Sequence, residues 1–347
     1  MRFRIHTGRG LGGIAVRPEP AAAIGLLLAG DLLAARLIPA SSPSPSAAPL
    51  AGVTGHVYVT NQLGNTVSVI DAGTNKVVAT VPAGNAPEGI AITPDGRYAY
   101  IADNGSAMVS VLDTRTNKIT TTVPVGHGPT GVRLSPDGTC LYVANGGSNS
   151  VSVLDTRTNR VTATVPVDVS PVSVAVSRDG ATAYVANAGS HSVSVLDTRT
   201  RRVVGSLPAG RSPVSVAVTP DGESAYVANE TAATVSAVGI RTRTVAVTVP
   251  VGEGPFDVAL APDGSRAYVA ELGPGNVSVI DTRSHRVSAT VAVGPPGTDP
   301  FNLAVTSGAV YVTNQGAGTL AVIDPKNLRV AATVAVGTSP YGVAVGP

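Results

Sequence analysis

Side chains capable of chemistry gather where a recurring proline ends a loop. The residue after that proline is Glu88, Thr130, Val172, Val214, Phe256, Phe301 and Tyr341 in successive repeats. Apart from Phe3, Phe256 and Phe301 are the only phenylalanines, and Asp257 and Asn302 follow them directly. Aromatic rings beside carboxylates at a channel mouth suit a cation, a sugar or a peptide segment. Rings that only fill the base of a loop, as Val172 and Val214 would, need no ligand. Glu88, Asp103, Asp257 and Glu271 could supply oxygen ligands to a hard divalent cation such as calcium. Asp103 and Glu271 replace an Asn found at 61, 145, 187, 229 and 314, so a strand-capping turn explains them more simply. Arg133 takes a slot that is Ala91, Ala175, Ala217, Ala259, Ala304 and Ala344 elsewhere. A guanidinium there is either paired or solvated in place, or it anchors an anion by its fork geometry. His127 and His191 lack a further ligand and read as solvated. No triad or tight ligand cluster assigns a catalytic residue.

The elements that must position these groups are written as a repeat. Tyr58, Tyr100, Tyr142, Tyr184, Tyr226 and Tyr268 recur every 42 residues, and Tyr311 follows after 43. A period of this length with strand-like content predicts a propeller. Within one repeat, Gly89 to Ile92 is a short apolar run closed by Pro94-Asp95-Gly96. Arg97 to Ala102 is a second strand, and Met108 to Leu112 alternates with period two. Asp113 to Asn117 is turn chemistry, and Lys118 to Val123 is a β-branched fourth strand ended by Pro124. Four strands per repeat make one blade. The first repeat lacks its first strand, and Pro340 to Val345 is a first strand with nothing after it. Joining the two closes a ring of seven four-stranded antiparallel blades and leaves no open sheet edge. The expected fold is therefore an all-β, seven-bladed propeller over residues 51–347.

The phrase Tyr-Val-x-Asn, then Val-Ser-Val-Leu/Ile-Asp, then Ala-Thr-Val-Pro-Val-Gly, then Pro-x-Gly-Val-Ala with Pro-Asp-Gly resembles the YVTN-type β-propeller repeat across residues 56 to 345. The family is similar in fold to lactonase-type propellers and to the propeller parts of some redox proteins. The resemblance implies seven blades at or outside the cell envelope. It implies no single activity, since the family shares no catalytic motif.

Residues 1–50 differ in composition. Arg2, Arg4, Arg9 and Arg17 precede an apolar or small stretch from Ala21 to Gly30, and Ser41 to Pro49 is a Ser/Pro/Ala linker. This pattern resembles an export signal, although Asp31 and the long basic portion depart from it. It predicts an extracytoplasmic, secreted or cell-envelope protein with no stable membrane span in the mature chain. Beyond residue 48 there remain 19 basic and 20 acidic residues, so the basic balance belongs to the leader. Arg115, Arg157, Arg199, Arg241 and Arg283 form a belt interleaved with Asp and without aromatics, which argues against nucleic acid. Cys140 is the only cysteine, so no intrachain disulfide forms, and nothing suggests heme attachment or an iron–sulfur cluster.

Turns after the first and third strands are nearly uniform, whereas loops after the second and fourth vary. Variable loops on a rigid scaffold are where binding resides. The expectation is a noncatalytic propeller binding a protein partner or small ligand through that face, at Phe256, Asp257, Phe301, Asn302, Tyr341 and Arg133. It needs no cofactor. The alternative is a lactonase-like, metal-assisted hydrolase using Glu88, Asp103, Asp257 and Glu271.

Overall fold

The computed structural model describes residue 50 and residues 53–346. Seven separate four-stranded antiparallel sheets form, as the repeat predicts. In blade one the order from the axis outward is Pro340–Val345, His56–Asn61, Thr66–Asp71, Lys76–Pro82. Tyr58 pairs with Ala344 and Val57 with Val345, so the C-terminal strand closes the ring. Blade two begins at Pro87–Ile92 and blade seven at Pro300–Val305. The leader lies outside the described residues, Leu50 excepted. Among the described residues no helix is long and apolar enough to cross a membrane.

Burial follows position within a blade. Second and third strands such as Tyr98–Asp103 and Met108–Asp113 are buried along most of their length, because both faces meet neighbouring blades. Outer strands such as Lys76–Pro82 are largely exposed, with Val81 turned inward. Each interblade core is built from small and β-branched residues, as where Tyr58, Val67 and Val69 meet Ile90, Ala99 and Ile101.

The repeated phrase encodes latches between blades. Tyr100 Oη donates to Thr156 O at 3.1 Å and to Asn159 Oδ1 at 2.9 Å, both in the next blade's turn. Thr60 Oγ1 donates to Glu88 O at 2.5 Å, and Thr313 Oγ1 to Tyr341 O at 2.7 Å. Asn61 donates from Nδ2 to Ser68 Oγ at 3.0 Å and accepts Gly337 N at Oδ1, also at 3.0 Å. Gly337 must lack a side chain, since a Cβ there would collide with the Asn61 amide. The Pro-Asp-Gly turns hold themselves: Asp95 Oδ1 accepts from Thr93 Oγ1 and Arg97 N, while Gly96 takes φ 70°.

Candidate functional site

Inner strands run from the variable-loop face, where their proline sits, toward the uniform turns. The residue after the proline is therefore at the mouth of the ring. Ring closure makes blades six, seven and one neighbours and brings their three rings together. Phe256 and Phe301 lie with centroids 3.7 Å apart, and Phe301 and Tyr341 with centroids 4.5 Å apart. Phe256 meets Tyr341 edge-on at 6.3 Å. Phe301 is only 8% exposed, so its faces are occupied by the other two rings. The stack bridges three blades, with each ring against another ring.

Glu88 completes this sector from blade two. Its side chain is 4% exposed; Oε1 accepts Gln62 Nε2 at 2.8 Å, while Oε2 is buried without a hydrogen-bond partner. Burial pushes its carboxyl up to about 7, against the lowering effect of Gln62, Tyr341 and Asn104. Burial likewise raises the Tyr341 phenol well above its ordinary value, and the facing Glu88, Asp257 and Glu230 add to that rise. The mouth is thus aromatic and acidic, with Glu88 titrating near neutrality.

Asp257 is engaged by both neighbouring blades. Its Oδ1 accepts Ser215 Oγ at 2.6 Å and its Oδ2 accepts Leu303 N at 2.8 Å. Burial raises its pKa, opposed by those hydrogen bonds and by Arg133. Arg133 stands across the ring, accessible from the axial channel yet walled by the inner strands. That enclosure lowers its pKa, and the charge of Asp257 raises it. The two charges attract across the channel, while the Asp257 oxygens remain committed to Ser215 and Leu303. Asn302 lies beside them on the inner strand of blade seven, its backbone N donating to Thr313 Oγ1 at 2.9 Å.

The other two acids each accept a hydrogen bond within the frame. Asp103 Oδ2 accepts Ser110 Oγ at 2.6 Å, and burial pushes its carboxyl up to about 6. Glu271 Oε1 accepts Gly252 N at 2.8 Å, as Asn229 Oδ1 accepts Gly210 N. Glu88 and Asp257 sit on inner strands, Asp103 and Glu271 on second strands of the same two blades. Among the described residues no three His, Cys, Asp or Glu side chains are grouped to hold a metal ion. His191 Nδ1 accepts Ser212 N at 3.0 Å, taking the place Asn65 and Asn149 fill for other loops. Gln62 orients Glu88, a role that its sequence setting does not single out, since Gln315 follows the same Tyr-Val-Thr-Asn phrase.

Comparison with known proteins agrees with this architecture. Residues 26–146 match the family model of the YNCE-like beta-propeller. The match runs into the third blade, and the other blades repeat the same phrase. Hydrazine synthase of Kuenenia stuttgartiensis superposes with a TM-score of 0.69 at 25% identity, covering 74% of this chain and 88% of that one. A functionally unknown protein from Desulfotomaculum acetoxidans DSM 771 gives a TM-score of 0.72 at 17% identity, covering 84% and 99%. Dihydro-heme d1 dehydrogenase NirN in complex with DHE gives 0.63 at 17% identity, covering 85% and 66%. The likenesses at 17% show the fold alone. In sequence, the PE-PGRS family protein PE_PGRS18 of Mycobacterium tuberculosis (strain ATCC 25618 / H37Rv) is 55% identical over 40 residues, 12% of this chain and 9% of that protein.

Proposed function

We propose that this propeller is an exported, noncatalytic binding protein whose variable-loop face receives a protein partner or small ligand at the channel mouth. The carrying observation is the buried Glu88 carboxylate, whose Oε2 has no partner at ordinary hydrogen-bond geometry although Tyr341 and Asn104 stand near it, beside the Phe256–Phe301–Tyr341 stack. Other buried oxygens, such as Asn145 Oδ1 and Tyr311 Oη, also lack a partner, but Glu88 is the one whose carboxylate stands at the channel mouth, where a ligand can supply the missing donor. An acidic, aromatic mouth favours a cationic or hydroxyl-rich ligand over an anion. The export signal resemblance supports a role outside the cytoplasm. The hydrolase alternative needs a metal with an open coordination position, and Asp257, its best-placed acid, is held on both oxygens by protein donors.

The test is an NMR screen of small ammonium compounds, monosaccharides and tripeptides against the isotope-labelled full chain. Hits should shift resonances of Phe256, Phe301, Tyr341 and Glu88, and Tyr341→Ala should abolish those shifts. Hits that map elsewhere and survive Tyr341→Ala would sink this reading. So would a stoichiometric divalent metal, found by elemental analysis, together with lactone hydrolysis lost in Asp257→Asn.

A further inference from the structure

The groove between blades five and six differs from its counterpart three blades away. Pro250 to Glu253, Pro274, Asn276 and Val287 line a pocket of about 560 Å³ on the rim of the variable-loop face. The corresponding residues Pro124 to Gly126, Ser148, Ser150 and Val161 line one of about 440 Å³ between blades two and three. The groove is therefore a product of the repeat, and its chemistry is set by substitution. Glu253 and Glu271 line the first groove, at repeat positions that are His127 and Asn145 three blades away and do not line the second. Those two carboxylates are the only charged residues lining the first.

Glu271 exceeds what the fold asks of that position. The structural task is to accept a glycine N–H from the preceding loop, and Asn61 and Asn229 perform it without charge. Glu271 does the same with Oε1. Its side chain is only 2% exposed and lines the pocket, and among the described residues no hydrogen bond to Oε2 accompanies the one at Oε1. A carboxylate with so little access to water gains from a charged donor brought into the groove. Glu253, exposed at the rim, adds a second negative charge over walls formed by Pro250, Val251, Pro274 and Val287.

We infer that this groove binds the side chain of an arginine or lysine presented by a partner protein. The apolar walls accept the methylene stem, and the two carboxylates take the cationic head. Two carboxylates fall well short of the six to eight oxygens that calcium gathers, which favours an organic cation over a metal. The site is separate from the channel mouth, so it stands or falls independently of the ligand proposed there.

The experiment titrates the labelled full chain with N-acetyl-arginine amide, with N-acetyl-glutamine amide and calcium chloride as comparators. The arginine compound should give saturable shifts at Glu253, Glu271 and Asn276, and the neutral amide none. Glu271→Asn keeps the acceptor that other blades use; it should fold with an unchanged melting profile and bind at least tenfold more weakly. Glu253→Gln, at an exposed rim position, should weaken binding several-fold and serves if Glu271→Asn misfolds. Shifts of equal strength in both variants would overturn the inference, as would no response to the arginine compound. Saturation by calcium alone at these residues would replace it with a metal site.

Discussion

Two buried acids make the residue scale testable. In the unfolded chain Glu88 titrates near its ordinary 4.5, whereas in the fold it titrates at about 7. Below the lower value both states hold the proton; between the two only the folded state does. Stability therefore falls as pH rises through that window, by about 3 kcal/mol for this one group, and levels off above it. Urea unfolding at pH 5 and pH 8 should show a smaller difference in Glu88→Gln than in the parent; an identical difference would refute the assignment. Asp103, pushed up to about 6, obeys the same sign. Asp103→Asn installs the residue used at 61, 145, 187, 229 and 314, and should raise the unfolding free energy at pH 8 by about 1–2 kcal/mol. Turn aspartates such as Asp95 and Asp113 are shifted the other way. For Asp95 the leading cause is the Thr93 side chain, and for Asp113 it is the Thr116 backbone N–H. Their contribution disappears only at more acid pH, so the two effects are separable.

At the scale of the element, the repeated Tyr, Thr and Asn each have a defined mechanical role. Tyr100 reaches the next blade's turn, whereas Tyr311 Oη is buried without a partner. Removing the Tyr100 hydroxyl leaves acceptors unmatched, and Tyr100→Phe should lower the unfolding free energy by about 1 kcal/mol. Tyr311→Phe removes an unsatisfied group and should be neutral or stabilising in the same urea assay. Equal losses in both variants would refute the assignment, since only the Tyr100 hydroxyl has partners to lose. The variable loops sit on this uniform frame because latches fix strand ends while leaving the residue after the loop proline free to change. That freedom permits Glu88, Val172 and Phe301 at one structural position.

For the whole molecule, closure is the decisive property. Pro340–Val345 supplies the innermost strand of blade one, and Gly337 N bonds Asn61 across the seam. Removing residues 340–347 exposes a strand edge on blade one and strips Tyr341 from the aromatic stack. The truncated chain should lose its cooperative melting transition or elute as oligomers in size-exclusion chromatography. A monomer melting as the parent does would mean that the seam contributes little. The channel pair Arg133 and Asp257 is also a property of the ring, since it joins blades three and six that share no strand pairing.

Blade number, strand order and closure were all legible in the sequence. A repeat at constant period with Pro-Asp-Gly and Asp-Thr-Arg turns admits one packing, and the incomplete ends complement each other. The adjacency of Phe256, Phe301 and Tyr341 followed from closure as well, because strand position alone sets which residues face the mouth. Tertiary structure decided the rest. Whether the rings stack on each other or stay open depends on side-chain packing across three blades. Whether Glu88 is satisfied depends on Gln62 and on an oxygen that burial leaves alone. That Asp257 is spent on Ser215 and Leu303, while Glu271 keeps an oxygen for the groove, depends on distances between blades. Sequence spacing does not encode those distances, because the partners belong to different repeats.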